Sequence, residues 1–174
     1  MAGREKKSFV PLNAAVLTIS DSRTEITDNS GDLLAERVAT AGHELRNRAI
    51  VQDDVYAIRA ILSDWIAAPT IDVVICTGGT GVTGRDGTPE AVRALLDKEI
   101  EGFGEMFRTI SFDEIGTSSL LSRCLAGVAN GTYIFCLPGS PNACATGWDK
   151  IIASQLDCRT GPCNLAELLP RLKE

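Results

Sequence analysis

Residues 71–81, Ile71-Asp72-Val73-Val74-Ile75-Cys76-Thr77-Gly78-Gly79-Thr80-Gly81, indicate the fold class most directly. Its first part is apolar and rich in β-branched residues, which predicts a buried strand over 71–76. Glycines follow the strand directly, so the chain can turn sharply there. Thr88 and Pro89 then predict the start of a helix, because proline suits the first helical position. A strand, a glycine-rich loop and a helix are therefore expected in that order.

The alternation of strand and helix continues on both sides of this unit. Further strands are predicted at 14–19, 44–51 and 133–137, and helices near 30–41, 55–66, 102–112 and 145–156. Asn29 and Ser30 are predicted to cap the first helix, and Asp53 and Asp54 the second. Such alternation is typical of an α/β protein with a parallel sheet covered by helices.

Length and composition indicate one folded domain over residues 1–174. The chain is 44% hydrophobic and 23% charged, which favours a globular protein over a disordered one. Within it, residues 1–8 are predicted to be a flexible N-terminus. Residues 157–174 are predicted to be a tail that packs on the domain or on a neighbour.

Charge and hydropathy exclude two classes of partner. The formal net charge of -6 argues against a general nucleic-acid-binding surface. No apolar run approaches the roughly 18 residues of a membrane helix. No export signal is recognised, and the six cysteines form no C-x-x-C pair, so we expect reduced thiols and a cytoplasmic protein. The single histidine, His43, argues against a histidine-rich metal site and a Ser-His-Asp triad.

Three loops are predicted to meet at one edge of the sheet, because ligands bind at the carboxyl ends of parallel strands. These loops are 20–30, 77–89 and 138–142. The last opens with Pro138-Gly139-Ser140-Pro141, which fits either an anion site before a helix or a stiff turn.

The glycine-rich loop matches two nucleotide motifs poorly. Residues 79–84 fit G-x-G-x-x-G, but they follow the third predicted strand, and the helix begins only at Thr88. An NAD-type site is therefore disfavoured, and a Walker A loop is excluded because Gly-Lys-Ser/Thr is missing. Five glycines between 78 and 87 still favour an anion-binding nest over a simple connector.

Polar side chains give this loop chemical capacity. Threonine hydroxyls and the charge of Arg85 suit a phosphorylated ligand, and Asp86 suits a metal. A carboxylate at Asp53 or Asp54 either caps a helix or binds Mg²⁺ together with Asp86, since Mg²⁺ often takes one or two carboxylates plus substrate phosphates.

An ordered set of motifs resembles the molybdopterin-binding family. The matching stretches are Ile19-Ser20-Asp21, Asp28-x-Ser30-Gly31, Thr77-Gly78-Gly79-Thr80-Gly81, Asp86, Thr88-Pro89-Glu90-Ala91, Gly102-Phe103-Gly104-Glu105, Phe107-Arg108, Leu121-Ser122-Arg123, Leu137-Pro138-Gly139-Ser140-Pro141 and, in the tail, 156–164. Each is weak alone, but together they run through almost the whole chain.

The resemblance implies a three-layer α/β/α sandwich that assembles as homotrimers or homohexamers. The related activity is adenylylation of molybdopterin by Mg²⁺ and ATP, with release of pyrophosphate. It implies that Asp53 and Asp86 serve metal and nucleotide. The residues implied to bind substrate are Ser20, Thr77, Gly78, Gly79, Thr80, Gly81, Thr88, Pro138, Gly139 and Ser140.

One position departs from the active adenylyltransferases of this family. They carry proline before the first aspartate, where this chain has Gln52. The resemblance therefore supports the pocket more directly than it supports turnover. Two alternatives stay open: a non-catalytic molybdopterin-binding or carrier protein, which would release no pyrophosphate, and a nicotinamide dehydrogenase, which would bind NAD.

Overall fold

The strands form one sheet in the computed structural model, which describes residues 7–174. They are β1 (Asn13–Ile19), β2 (Glu44–Val51), β3 (Val73–Thr77), β4 (Lys98–Glu99), β5 (Leu125–Ala129) and β6 (Thr132–Leu137). Their order is β2-β1-β3-β6-β5-β4. β2, β1, β3 and β6 are parallel, and β5 is antiparallel to both of its neighbours. The expected α/β class with a mostly parallel sheet is confirmed.

Helices connect and cover these strands. They are α1 (Asn29–Thr40), α2 (Val55–Ala67), α3 (Thr88–Arg93), α4 (Glu101–Ile115), α5 (Pro141–Gly147), α6 (Ala153–Leu156) and α7 (Leu165–Leu168). A 3₁₀ turn, Gly116–Leu121, follows α4, and a π turn, Trp148–Ile152, joins α5 to α6. A second 3₁₀ turn, Leu169–Arg171, follows α7. None of the helices among residues 7–174 is long and apolar enough to cross a membrane.

Two separate cores lie on the two faces of the sheet, as side-chain alternation along a strand requires. On β1, Val16 packs in the core that contains Leu34 and Val38 of α1. Its neighbour Leu17 packs in the other core, which contains Ile58 of α2. Helices α1, α4, α5 and α6 cover one face and α2 and α3 the other, which gives the three layers.

The hairpin of β5 and β6 was not predicted from the sequence. Asn130 and Gly131 form its two-residue turn, with φ angles of 47° and 79°. Positive φ at both positions is what a type I′ hairpin turn requires, and Asn-Gly is its strongest sequence signal. Residues 130–131 therefore carried the information that would have placed β5 in the sheet.

The caps of the first two helices differ in part from expectation. Asp28, rather than Asn29 or Ser30, caps α1 and accepts from the N–H of Gly31 at 2.9 Å. Asp28 is fully buried and also accepts from Thr18 Oγ1 at 2.8 Å. The prediction that Asn29 and Ser30 cap this helix was wrong, because the carboxylate of Asp28 lies deeper and bonds buried partners.

The carboxylate of Asp28 is paired as well as buried. Arg48 of β2 donates from Nη2 to Asp28 Oδ2 at 2.9 Å. Burial alone would raise the pKa of Asp28, but the bonds from Arg48, Gly31 and Thr18 together bring that pKa below its ordinary value. The start of α1 is thereby fixed to β1 and β2.

The tail and the cysteines complete the fold. Tyr133 of β6 donates from Oη to the carbonyl of Leu165 at 2.8 Å, so the segment after residue 157 packs on this domain. All six cysteines are free thiols; Cys163 is exposed and the other five are buried. Residues 1–6 of the expected flexible N-terminus 1–8 lie outside the described residues.

Candidate functional site

A cavity of about 570 Å³ opens at the carboxyl ends of the parallel strands. It lies where the strand order changes direction, since β1 lies between β2 and β3. Crevices form at such switch points because the loops of neighbouring strands leave toward opposite faces of the sheet. Its volume is within the range of about 300–1,000 Å³ that small-molecule sites occupy.

The three loops predicted to meet do so. Ser30 donates from Oγ to the carbonyl of Gly139 at 2.8 Å, which joins the start of α1 to the loop after β6. Thr77 donates from Oγ1 to the carbonyl of Pro138 at 2.9 Å, which joins the loop after β3 to the same segment. These cross-links hold the walls of the cavity together.

Most of the predicted substrate-binding residues line the cavity. Those in the wall are Ser20, Thr77, Gly78, Gly79, Thr80, Gly81, Pro138, Gly139 and Ser140, and the predicted metal ligand Asp86 lies there too. Thr88 and Asp53 are not wall residues, and both approach Gly79. Thr88 donates from Oγ1 to Gly78 O at 2.9 Å, so its hydroxyl supports the loop.

Close approach explains why Gly79 and Gly81 carry no side chain. Gly79 has a φ of +62°, and a Cβ there would lie 2.3 Å from Thr88 Oγ1 and 2.7 Å from Asp53 Oδ2. A Cβ at Gly81 would lie 2.7 Å from Asp86 Oδ2. The loop backbone therefore lies directly against both carboxylates that the sequence singled out, and glycine is what allows this close approach.

Asp53 has the environment of a destabilised anion. Its Oδ1 accepts from the N–H of Gly87 at 3.1 Å. Burial raises the pKa of Asp53, and the nearby charges of Asp86 and Asp21 raise it further. A cation beside Asp53 would remove this electrostatic cost.

Asp86 is more strongly bonded within its own loop. Its Oδ2 accepts from Thr83 N at 2.7 Å and from Thr83 Oγ1 at 2.5 Å. These bonds lower the pKa of Asp86. Asp86 is therefore ionised. Its bonds with Thr83 also hold the tip of the loop in place, so this side chain has a structural role in addition to any role in ligand binding.

Arg85 does not reach into the cavity, although its charge was expected to serve an anion there. Its guanidinium pairs with Asp21, with Nη2 2.8 Å from Oδ1. Asp21 Oδ1 also accepts from the N–H of Asp53 at 3.2 Å. This pair joins the loop after β1 to the tip of the glycine-rich loop.

Sequence reasoning assigned no site role to much of the remaining wall of the cavity. Helix α4, residues 116–122 after it and α5 contribute Phe107, Ser111, Glu114, Ile115, Ser118, Ser119, Leu121, Ser122, Ala143 and Thr146, and Asn142 of the predicted loop 138–142 also lies there. Arg23 also lines the cavity and donates from Nη1 to Thr27 O at 2.6 Å. The 102–108 and 121–123 motifs were the only sequence signals for part of this wall, and they carry no information about direction.

A metal centre built by protein ligands alone is not present in residues 7–174. No group of three or more His, Cys, Asp or Glu side chains within this part of the chain could hold an ion. Asp53 lies against Gly79 and Asp86 against Gly81 of the same loop, and burial and the charge of Asp86 raise the pKa of Asp53. Two neighbouring carboxylates fit the Mg²⁺ pattern of few protein ligands completed by substrate phosphates.

The fold and the cavity at the strand ends are those of a molybdopterin-binding domain family. Residues 15–157 match the family described as "Probable molybdopterin binding domain". The match spans most of the chain, and the chain belongs to this family.

Individual relatives agree with this assignment. The chain is 53% identical over 166 residues to molybdenum cofactor biosynthesis protein B of Escherichia coli K12, covering 95% of this chain and 96% of that protein. A crystal structure of molybdenum cofactor biosynthesis protein B superposes with a TM-score of 0.84 at 44% identity, covering 86% of this chain and 94% of that one. The tungsten cofactor synthesizing protein MoaB from Pyrococcus furiosus gives 0.77 at 34% identity, covering 94% and 98%.

Proposed function

We propose that the protein acts in molybdenum cofactor biosynthesis and adenylylates molybdopterin with Mg²⁺ and ATP. The observation that carries this proposal is the glycine-rich loop that lines the cavity and lies against Asp53 and Asp86. Its backbone can approach phosphates closely, while its two flanking carboxylates suit the cation that accompanies them.

The proposed reaction is an in-line attack by the terminal phosphate of molybdopterin on the α-phosphate of ATP. A new P–O–P bond forms at the α-phosphorus, the bond to the β-phosphate oxygen breaks, and pyrophosphate leaves. The protein contributes positioning and charge neutralisation. Ser20, Thr80 and Ser140 supply hydroxyls to the cavity wall, and Arg23 supplies a positive charge there.

Mg²⁺ would be held by Asp53 and Asp86 in this proposal. When bound, it would neutralise phosphate charge near the reacting phosphorus. Asp53 fits this role because its charge is destabilised by burial and by its acidic neighbours, so a cation stabilises it. Asp86 fits because its bonds with Thr83 keep it ionised.

The test is formation of adenylylated molybdopterin by purified protein, molybdopterin, ATP and Mg²⁺, compared with Asp86→Asn. We expect product and pyrophosphate from the unmodified protein and none from Asp86→Asn. Because Asp86 also bonds Thr83, thermal unfolding of the variant must show that the fold survives. A folded Asp86→Asn protein with full activity would contradict the assignment.

The rival function is a non-catalytic molybdopterin-binding or carrier protein. Gln52, where active adenylyltransferases resembled by this chain carry proline, is the observation that favours it. Tight molybdopterin binding without pyrophosphate release from the unmodified protein would establish this function. Binding of NAD to the unmodified protein, measured separately, would support the dehydrogenase alternative.

We also propose that the protein is a homotrimer or homohexamer. Exposed apolar side chains concentrate on α4 and the 3₁₀ turn after it, which is the kind of surface that association covers. They are Met106, Phe112, Ile115, Leu120 and Leu121. Light scattering from the purified protein would give three or six times the 18.5 kDa chain mass, and a monomer would contradict the proposal.

A further inference from the structure

Arg123 is bonded to both ends of the glycine-rich loop. Its backbone N–H donates to Thr80 O at 3.0 Å, and its Nε donates to Gly81 O at 2.6 Å. Its Nη2 donates to Asp86 O at 2.6 Å, and its Nη1 donates to Glu90 Oε1 at 2.5 Å in α3. One residue, which lies between the 3₁₀ turn and β5, therefore holds the start of the loop, its end and the following helix.

The bond to the Asp86 carbonyl has a consequence for Asp53. In a planar trans peptide the carbonyl and the next N–H point in opposite directions. Arg123 holds the Asp86 carbonyl, so the N–H of Gly87 points away from the guanidinium. That N–H donates to Asp53 Oδ1 at 3.1 Å. Arg123 thereby directs the donor that orients the first carboxylate.

The bond to the Thr80 carbonyl has the same consequence for Asp86. Arg123 holds this carbonyl through its backbone N–H, so the N–H of Gly81 points to the other side of the peptide. The carboxylate of Asp86 lies against Gly81, and the N–H of Gly81, after Thr83, helps to lower the pKa of Asp86. Both carboxylates are therefore oriented by peptide groups whose carbonyls Arg123 holds.

We propose that Arg123 is a positioning residue that sets the orientation of the Asp53 and Asp86 carboxylates toward each other. It acts through the peptide groups of the loop: its side chain bonds the carbonyls of Gly81 and Asp86 and the carboxylate of Glu90, and its backbone N–H bonds Thr80 O. Its effect on turnover rests on the proposed function, whereas its effect on the loop does not.

Arginine is required for this task because of its shape. The planar guanidinium presents donors in several fixed directions, whereas a lysine ammonium is a single point on a flexible stem. Arg123→Lys keeps the charge but cannot hold the carbonyls of Gly81 and Asp86 together with Glu90. This substitution therefore separates the geometry of the side chain from its charge.

The experiment measures Arg123→Lys in two ways. We expect kcat for adenylylation to fall by about 10²-fold, the loss that a misplacement near 1 Å can cause, while KM for molybdopterin stays unchanged. The Mg²⁺ concentration for half-maximal rate should rise. Independently of activity, amide hydrogen exchange at Gly87 should become faster, because the side chain no longer holds the Asp86 carbonyl that precedes it.

Two control variants isolate the loop contacts. Arg93→Lys changes an arginine of α3 that pairs with Glu99, with Nη2 3.1 Å from Oε1, and does not touch the loop. Glu90→Gln weakens only the contact of Arg123 with α3. Both should retain the kcat and the Gly87 exchange rate of the unmodified protein.

The outcomes distinguish this inference from the proposed function. Unchanged exchange at Gly87 in Arg123→Lys would overturn the positioning role, as would the same loss of kcat in Arg93→Lys. If the unmodified protein makes no product, the proposed function fails, and the exchange measurement alone decides about Arg123.

Discussion

Two glycines in one loop differ in what a methyl group would meet. At Gly79, φ is positive and a Cβ would collide with Thr88 Oγ1 and Asp53 Oδ2, whereas a Cβ at Gly84 would meet nothing within 4 Å. In the amino-acid composition these two glycines are equivalent. The structure makes Gly79 part of the site and leaves Gly84 as a turn residue.

We therefore expect Gly79→Ala to lower the free energy of unfolding by about 1–3 kcal/mol, the cost of a strained backbone position. Adenylylation should also be lost because Asp53 is displaced. Gly84→Ala, the matched control, should leave activity intact and change stability by less than about 1 kcal/mol. Urea unfolding and the product assay measure both variants; equal stabilities would show that the close approach at Gly79 is absent.

At the scale of elements, the adjacent aspartates after β2 divide two tasks. Asp54 caps α2 and accepts from Tyr56 N at 3.0 Å and Ala57 N at 2.8 Å. Asp53 instead accepts from Gly87 N, across the sheet edge. The sequence left open which carboxylate caps the helix, and the structure assigns the cap to the second.

Asp54→Ala should lower stability by about 1 kcal/mol, the usual cost of losing an N-cap, and should retain adenylylation. Asp53→Asn should have the opposite profile: it removes a charge that burial disfavours, so stability is kept, but product formation is lost. Chemical denaturation and the product assay on both proteins separate the roles. Loss of activity in Asp54→Ala with full activity in Asp53→Asn would reverse them.

Elements that local interactions determine could be predicted from the sequence, whereas elements that depend on long-range pairing could not. β2 was placed at its observed bounds, 44–51, because hydropathy and flanking turn residues are local signals. The strand before the glycine-rich loop begins two residues later than predicted, at Val73. β4 was missed because its two residues, Lys98 and Glu99, have no apolar pattern, and pairing with β5 alone makes them a strand.

In the candidate site, too, the sequence predicted what topology determines but not the long-range side-chain contacts. The meeting of the three loops could be predicted from topology, since parallel strands end at one edge. The role of Arg123 could not, because its contact with Gly81 joins residues 42 positions apart and no local pattern encodes it. Likewise, only the folded structure shows that the charge of Arg85 is directed to Asp21.

For the molecule as a whole, His43 links stability to pH. Its Nδ1 accepts from the N–H of Leu12 at 3.1 Å, so the buried ring is held neutral. Burial lowers the pKa of His43, although the charge of Asp157 opposes this effect. The unfolded chain therefore binds a proton at higher pH than the folded protein does.

The sign of this linkage fixes the pH window. Above the unfolded pKa of about 6.5 the ring is neutral in both states and its contribution is intact. As the pH falls from there toward the lowered folded pKa, protonation favours the unfolded chain and stability is lost. His43→Gln keeps an acceptor for Leu12 and cannot titrate. The difference in unfolding free energy between the two proteins should move against the unmodified one from pH 8 to pH 5; a constant difference would contradict the linkage.

The distribution of the cysteines allows unfolding of this protein to be followed through its own thiols. Five of the six thiols are buried, and burial raises the pKa of Cys124 to about 12 and that of Cys144 to about 11, so few thiolates form there. A colorimetric thiol reagent thus meets one reactive sulfur, Cys163, while the chain is folded, and six once it opens. The number of thiols that react therefore reports how much of any variant is folded, without a fluorescent label, a tag or a substrate.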